Sequence, residues 1–121
     1  MKIKGYTIRG RGLGKKLGFP TLNLKYGGEM TGVFLGKVKI GDQKNDSVVH
    51  VGKKPTIDPD ETSIEVHILD FDQEVELGTE IEIEFLEKIR ETKKFDNPDD
   101  LKLQIEEDVK IAREWYDRSS S

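Results

Sequence analysis

The sequence has no cysteine, only two histidines and no apolar run of membrane-spanning length. Without cysteine there is no disulfide framework and no thiolate zinc site, and two histidines cannot make a histidine metal cluster. Without an apolar stretch near 18 residues there is no transmembrane helix, and Met1-Lys2-Ile3-Lys4 leads into no secretory apolar segment. A chain of this kind is expected to be cytoplasmic. A net charge of −4 does not suggest a general nucleic-acid binder, so neither nucleic acid nor membrane is expected as a partner.

What is present points to one small folded domain. The 121 residues hold 36% charged side chains, but Leu, Ile, Val and Phe together make up about 28%. That is enough apolar content to build a modest core. Charge is distributed unevenly. Residues 1–28 carry seven basic side chains, no acid and seven of the 12 glycines, whereas the other 93 residues carry 13 basic side chains against 24 acids. A basic, glycine-rich stretch on an otherwise acidic protein marks a local site for an anion. An N-terminal strand followed by a flexible loop reads equally well from composition alone.

Hydrophobic alternation predicts short strands over 2–8, 21–24, 32–40, 47–51, 63–71 and 80–89, with turns at Gly27-Gly28 and at 41–45. Glycines at positions 10, 12 and 14 exclude a packed strand or helix between the first two. Asn97-Pro98-Asp99-Asp100 supplies an N-cap, a first-turn proline and two acids. Leu101, Ile105, Val109, Ala112 and Trp115 or Tyr116 then follow at helical spacing. Six or so strands and one terminal helix predict a mainly β fold, a closed barrel capped by that helix, because closure removes exposed sheet edges. The domain is expected to occupy 1–118, with 119–121 as a disordered tail.

Several residues could carry chemistry. Gly10-Arg11-Gly12-Leu13-Gly14-Lys15 matches neither the dinucleotide-binding fingerprint nor the Walker A loop. Its glycines would still let backbone amides approach phosphate oxygens, with Arg11, Lys15 and Lys16 as counter-charge. Thr21 and Asn23, two apart on a strand, present a hydroxyl and an amide carbonyl on one side. These are neutral hard donors suited to Mg²⁺ that already carries phosphate, although a surface Thr and a turn Asn fit the same pattern. In Ser63–Leu69, Ile64, Val66 and Ile68 alternate with Glu65, His67 and Leu69. If the first set is core, Glu65 is a carboxylate on a rigid strand, the geometry a general base needs, but most strand glutamates are simply solvated. Arg90, Lys93, Lys94 and Phe95 precede the helix, either as a solvated turn or as a ligand clamp.

Taken together, Gly10-Arg-Gly-Leu-Gly-Lys-Lys-Leu-Gly-Phe-Pro-Thr-Leu-Asn23 resembles the opening signature of the ATP-dependent riboflavin kinases of bacteria and eukaryotes, including the kinase domain of bifunctional FAD synthetases. Four further blocks follow in the family's order: Thr31–Phe34, Val51–Thr56, Ile64–Phe71, and Arg90–Asp96 with Leu101, Gln104, Ile105 and Asp108. The resemblance covers residues 5–114. It implies a six-stranded antiparallel Greek-key barrel with a C-terminal α-helix, acting as a monomer that transfers the ATP γ-phosphate to the 5′-hydroxyl of riboflavin and releases FMN and ADP. Carried over by position, Gly10, Gly12, Lys15, Lys16 and Thr21 would contact ATP, and Thr21 and Asn23 would hold Mg²⁺. Glu65 would be the base, and Arg90, Lys93 and Phe95 would bind the flavin. With no room in 121 residues for an adenylyltransferase domain, FMN without FAD is the expected product. The chain departs from the family pattern at His50, where many members have Asn, at Leu77, where Tyr is usual, and at Phe34, again usually Tyr. None of these touches Thr21, Asn23 or Glu65. A barrel that binds flavin or nucleotide without catalysis is the alternative. An oligonucleotide-binding barrel would want aromatic and basic residues interleaved on strands, and the strand at 80–89 is acidic instead.

Overall fold

Strands β3 (Gly32–Ile40) and β4 (Gln43–Lys53) form the hairpin around which the rest is arranged. Ile40 pairs with Gln43, so the turn is only Gly41-Asp42, and Gly41 takes φ 59°, where glycine has no steric penalty. The polar run Gln43–Asn45, read above as turn, is therefore strand, because the tight turn aligns it with Val38–Ile40. The structure, a computed structural model, describes residues 1–9, 18–53 and 62–119.

The other strands are β1 (Lys2–Tyr6), β2 (Leu22–Lys25), β5 (Thr62–Ile68) and β6 (Glu80–Arg90). All pair antiparallel in the order β1-β6-β3-β4-β5-β2. Hairpin-linked β3, β4 and β5 with β6 returning beside β3 make a Greek key. The expected strand at 63–71 stops at Ile68, because Asp70 turns into the left-handed region at φ 55°. Among the described residues one bridge, Ile8 N–H donating to Asn23 O at 2.8 Å, joins the two ends of the sheet and nearly closes the barrel.

Period-2 alternation sorts the side chains. Leu24, Phe34, Val38, Val49, Val51, Ile64, Val66, Ile68, Ile81 and Ile83 point inward and form the core. A second cluster lies outside the barrel wall, where Val33, Leu35 and Val48 meet Ala112 and Tyr116 of helix α1 (Pro98–Ser119). The helix begins as the capping pattern predicts. Asp100 N–H donates to Asn97 Oδ1 at 2.9 Å and Asn97 Nδ2 donates back to Asp100 Oδ2 at 3.0 Å. It continues through Ser119, while residues 120–121 of the expected tail lie outside the described residues.

Tyr116 fixes the helix to the wall. The Gly36 N–H donates to its Oη at 2.8 Å, and the single Oη proton is shared between the carbonyl oxygens of Gly36 and Ser47, each 2.8 Å away. Gly36 is required there, since a Cβ would stand 2.7 Å from the Glu84 carbonyl oxygen, at one of two register shifts between β3 and β6. Burial pushes the Tyr116 hydroxyl up to about 12.

Candidate active site

The outward-facing residues of the central strands line up in a cross-strand row. Asn23 on β2 pairs with Glu65 on β5, Glu65 with His50 on β4, His50 with Val33 on β3, and Val33 with Arg90 on β6. Directly opposed residues share a face, so an amide, a carboxylate and an imidazole stand side by side on the outer wall, next to the edge of α1. Their inward neighbours Leu24, Ile64, Val66, Val49 and Val51 are fully buried, and this apolar packing holds the backbone beneath the row.

At one end, Asn23 is 6% exposed and its backbone is held by the closing bridge. Thr21 lies just before β2 and is half-buried. Neither side chain, nor that of Glu65, is hydrogen-bonded to a described residue. The Thr21 hydroxyl and the Asn23 amide carbonyl are donor oxygens that this end can offer a ligand. Neutral oxygens beside one carboxylate fit a hard divalent cation that arrives with phosphate. Among the described residues no set of three His, Asp or Glu side chains comes together that could hold a metal without such help. Two residues before Glu65 on β5, Ser63 Oγ is buried with no hydrogen-bond partner, on the same outward side.

His67, two residues beyond Glu65, orients the approach to β2. Its Nδ1 is 3.0 Å from the Pro20 carbonyl oxygen, and its ring meets Phe19 edge-on at 5.5 Å. The residues that follow the glycine-rich stretch are thus pinned to the strand that carries Glu65. Gly10, Gly12, Lys15 and Lys16 themselves lie outside the described residues, as do Pro55 and Pro59.

At the other end, Arg90 is bound into the fold. Its Nε and one terminal nitrogen donate to the two carboxylate oxygens of Asp108 at 2.8 and 2.7 Å, and the other terminal nitrogen donates to Glu91 O at 2.9 Å. Gln104 donates to Asp108 Oδ1 at 3.1 Å and accepts from Lys93 Nζ at 3.3 Å. Arg90, Lys93 and α1 therefore form one network that fixes the 90–93 segment. Phe95 is half-buried beyond it, and Leu77, at one of the family departures, is 59% exposed.

The structure pairs Asn23 with Glu65, leaves Thr21 two residues before Asn23, just ahead of β2, and sets Arg90 in the same row. Sequence reading gave no role to Asp108 or His50. The signal for Asp108 was available: it is seven residues from Leu101 and four from Ala112, an acid in the apolar stripe of the helix. With it, the most deeply buried line of α1 is Asp108, Ala112 and Tyr116: the last two lie in the expected stripe, and Asp108 is buried where Val109 was expected. His50 is half-buried, and burial is the main reason its imidazole is held below the ordinary histidine value. Glu65 and Asp108 act against that depression, and Arg90 adds to it.

Comparison with known proteins places this geometry. The family model for flavokinase, described as riboflavin kinase, matches residues 1–116. A bifunctional riboflavin kinase/FMN adenylyltransferase of Haemophilus influenzae is 39% identical over 119 residues, covering 95% of this chain and 38% of that protein. Among solved structures, one described as a macrolide-efflux protein from Streptococcus pneumoniae superposes with a TM-score of 0.81 at 33% identity, over 94% of this chain and 38% of that one. A riboflavin kinase from Trypanosoma brucei shares the fold at a TM-score of 0.62 and 18% identity, over 94% of this chain and 78% of that one. The chain thus spans about two-fifths of the bifunctional relative. No described helix is long and apolar enough to cross a membrane.

Proposed function

The chain belongs to the riboflavin kinase family, and we propose that it transfers the γ-phosphate of ATP to the 5′-hydroxyl of riboflavin, releasing FMN and ADP. The observation that carries this reading is the row in which Asn23 and Glu65 stand opposite each other on β2 and β5, on a backbone held by the core. Phosphoryl transfer needs little covalent help from a protein; it needs its reactants aligned and its charge neutralised.

The roles divide along the row. Glu65 aligns the ribityl hydroxyl and accepts its proton as the new O–P bond forms and the bond from the γ-phosphorus to the ADP oxygen breaks. Thr21 and Asn23 are the residues that would hold Mg²⁺ on the nucleotide, where the ion supplies counter-charge for the phosphates. Gly10, Gly12, Lys15 and Lys16 are proposed for the triphosphate itself, together with Thr21. Lys93 and Phe95 are proposed to meet the flavin. Arg90 has its guanidinium nitrogens bonded to Asp108 and Glu91, and is proposed to serve the flavin site by anchoring this segment.

These residues are proposed as a single kinase domain, 1–118, acting as a monomer in the cytoplasm, with FMN rather than FAD as its product. The test is chromatographic: purified protein with riboflavin and MgATP should give stoichiometric FMN and ADP. Chelation of the metal should stop the reaction. Riboflavin recovered unchanged from a folded preparation with MgATP would reject the kinase reading, and FAD among the products would reject the stated product.

A further inference from the structure

His50 stands in the middle of the row, directly across from Glu65 on β5 and from Val33 on β3. Opposed residues of an antiparallel pair hold their Cβ atoms about 4.5–5.5 Å apart, so small rotations bring an imidazole and a carboxylate there into contact. In this structure the two side chains are not hydrogen-bonded to each other. The other charged groups facing His50 are Arg90 from β6 and Asp108 from α1, and these are already paired with each other. Val33 on β3 is apolar, as are its same-side neighbours Val48 and Gly52 on β4. Among the described residues, Glu65 is therefore the charged neighbour in the row that is not already paired.

We propose that His50 is a positioning residue for Glu65: uncharged, it leaves the carboxylate open to the riboflavin hydroxyl, and once protonated it captures that carboxylate in an ion pair and stops the reaction. The proposal rests on Glu65 being the base. Its charge balance is simple, since one proton from solvent binds the imidazole and no bond to phosphorus is involved. Burial already favours the neutral ring, so the open state is the one present near pH 7, and capture sets in on the acid side.

Two measurements test it. The first is the pH profile of kcat/KM for wild type and His50→Gln, each scaled to its own plateau. About one pH unit below the wild-type acid midpoint, the variant should be roughly tenfold faster relative to that plateau. Identical midpoints would overturn the proposal. The second needs no turnover. NMR titration of His50, one of only two histidines, should give a lower pKa in Glu65→Gln than in wild type, by roughly half a unit or more, because the carboxylate that favours the imidazolium is gone. An unchanged His50 pKa would overturn the proposal even if FMN is made. A shifted pKa in a chain that makes no FMN would overturn the kinase reading, and with it the catalytic sense of the pair.

Discussion

The two faces of strand β5 invite comparison. Ile64, Val66 and Ile68 point inward at 0%, 0% and 5% exposure, and Ser63, Glu65 and His67 point outward on the same seven residues. One face is aliphatic and packed; the other carries a hydroxyl, a carboxylate and an imidazole. Strand β4 repeats the division, with Val49 and Val51 inside and His50 outside. A strand separates stability from chemistry by one residue of spacing, so a polar site can sit on a rigid frame without polar groups entering the core.

The sharpest way to break that division is a residue on the outer side that the fold nevertheless needs. Asp108 is 3% exposed and is the bidentate partner of Arg90. Asp108→Ala leaves a largely buried guanidinium without its counter-charge, and chemical denaturation should read a loss of about 3–5 kcal/mol. The next test sharpens the division from inside. Ile64→Ala, adjacent to Glu65 and fully buried, should cost about 2–5 kcal/mol by cavity formation, while kcat per folded molecule stays near wild type. Tyr116→Phe removes the hydroxyl on which Gly36 and Ser47 depend, and should cost about 1–3 kcal/mol with little effect on turnover. The smallest effect is one of pH. The Tyr116 hydroxyl is pushed up to about 12 in the fold, against about 10 when unfolded. The unfolded chain therefore ionises first, and the stability linked to this group is complete below about pH 10 and is lost as pH rises to about 12. Tyr116→Phe should flatten that part of the Tm profile.

Much of this was legible in the sequence, for reasons that differ by element. The alternation in Ile64–Leu69 assigns Glu65 to the side away from the core, and the 97–100 cap fixes the start of the helix to the residue. The barrel's order was not legible from alternation, because period 2 gives the face of a strand but not its partner. The Greek-key arrangement came with the family resemblance. The Gln43–Asn45 part of β4 was hidden because its side chains are polar and its place depends on a two-residue turn. The Arg90–Asp108 pair was hidden for a related reason. Both residues appeared in matching blocks, but only the helix docking through Tyr116 and Ala112 brings them together. His50 registered only as a departure from family pattern, and its position opposite Glu65 follows from the β4–β5 register alone.

The most direct test of the division between the two faces is Glu65→Gln, with kcat, ligand affinity and Tm measured on one preparation. The change keeps the size and hydrogen-bonding reach of the side chain but removes its ability to accept a proton. Turnover should fall roughly 10²–10⁴-fold, the usual contribution of a general base, while riboflavin and MgATP affinities and Tm stay near wild type. A Glu65→Gln protein with wild-type turnover, or one whose lost turnover is matched by a lower Tm, would contradict the assignment of chemistry to the outer face.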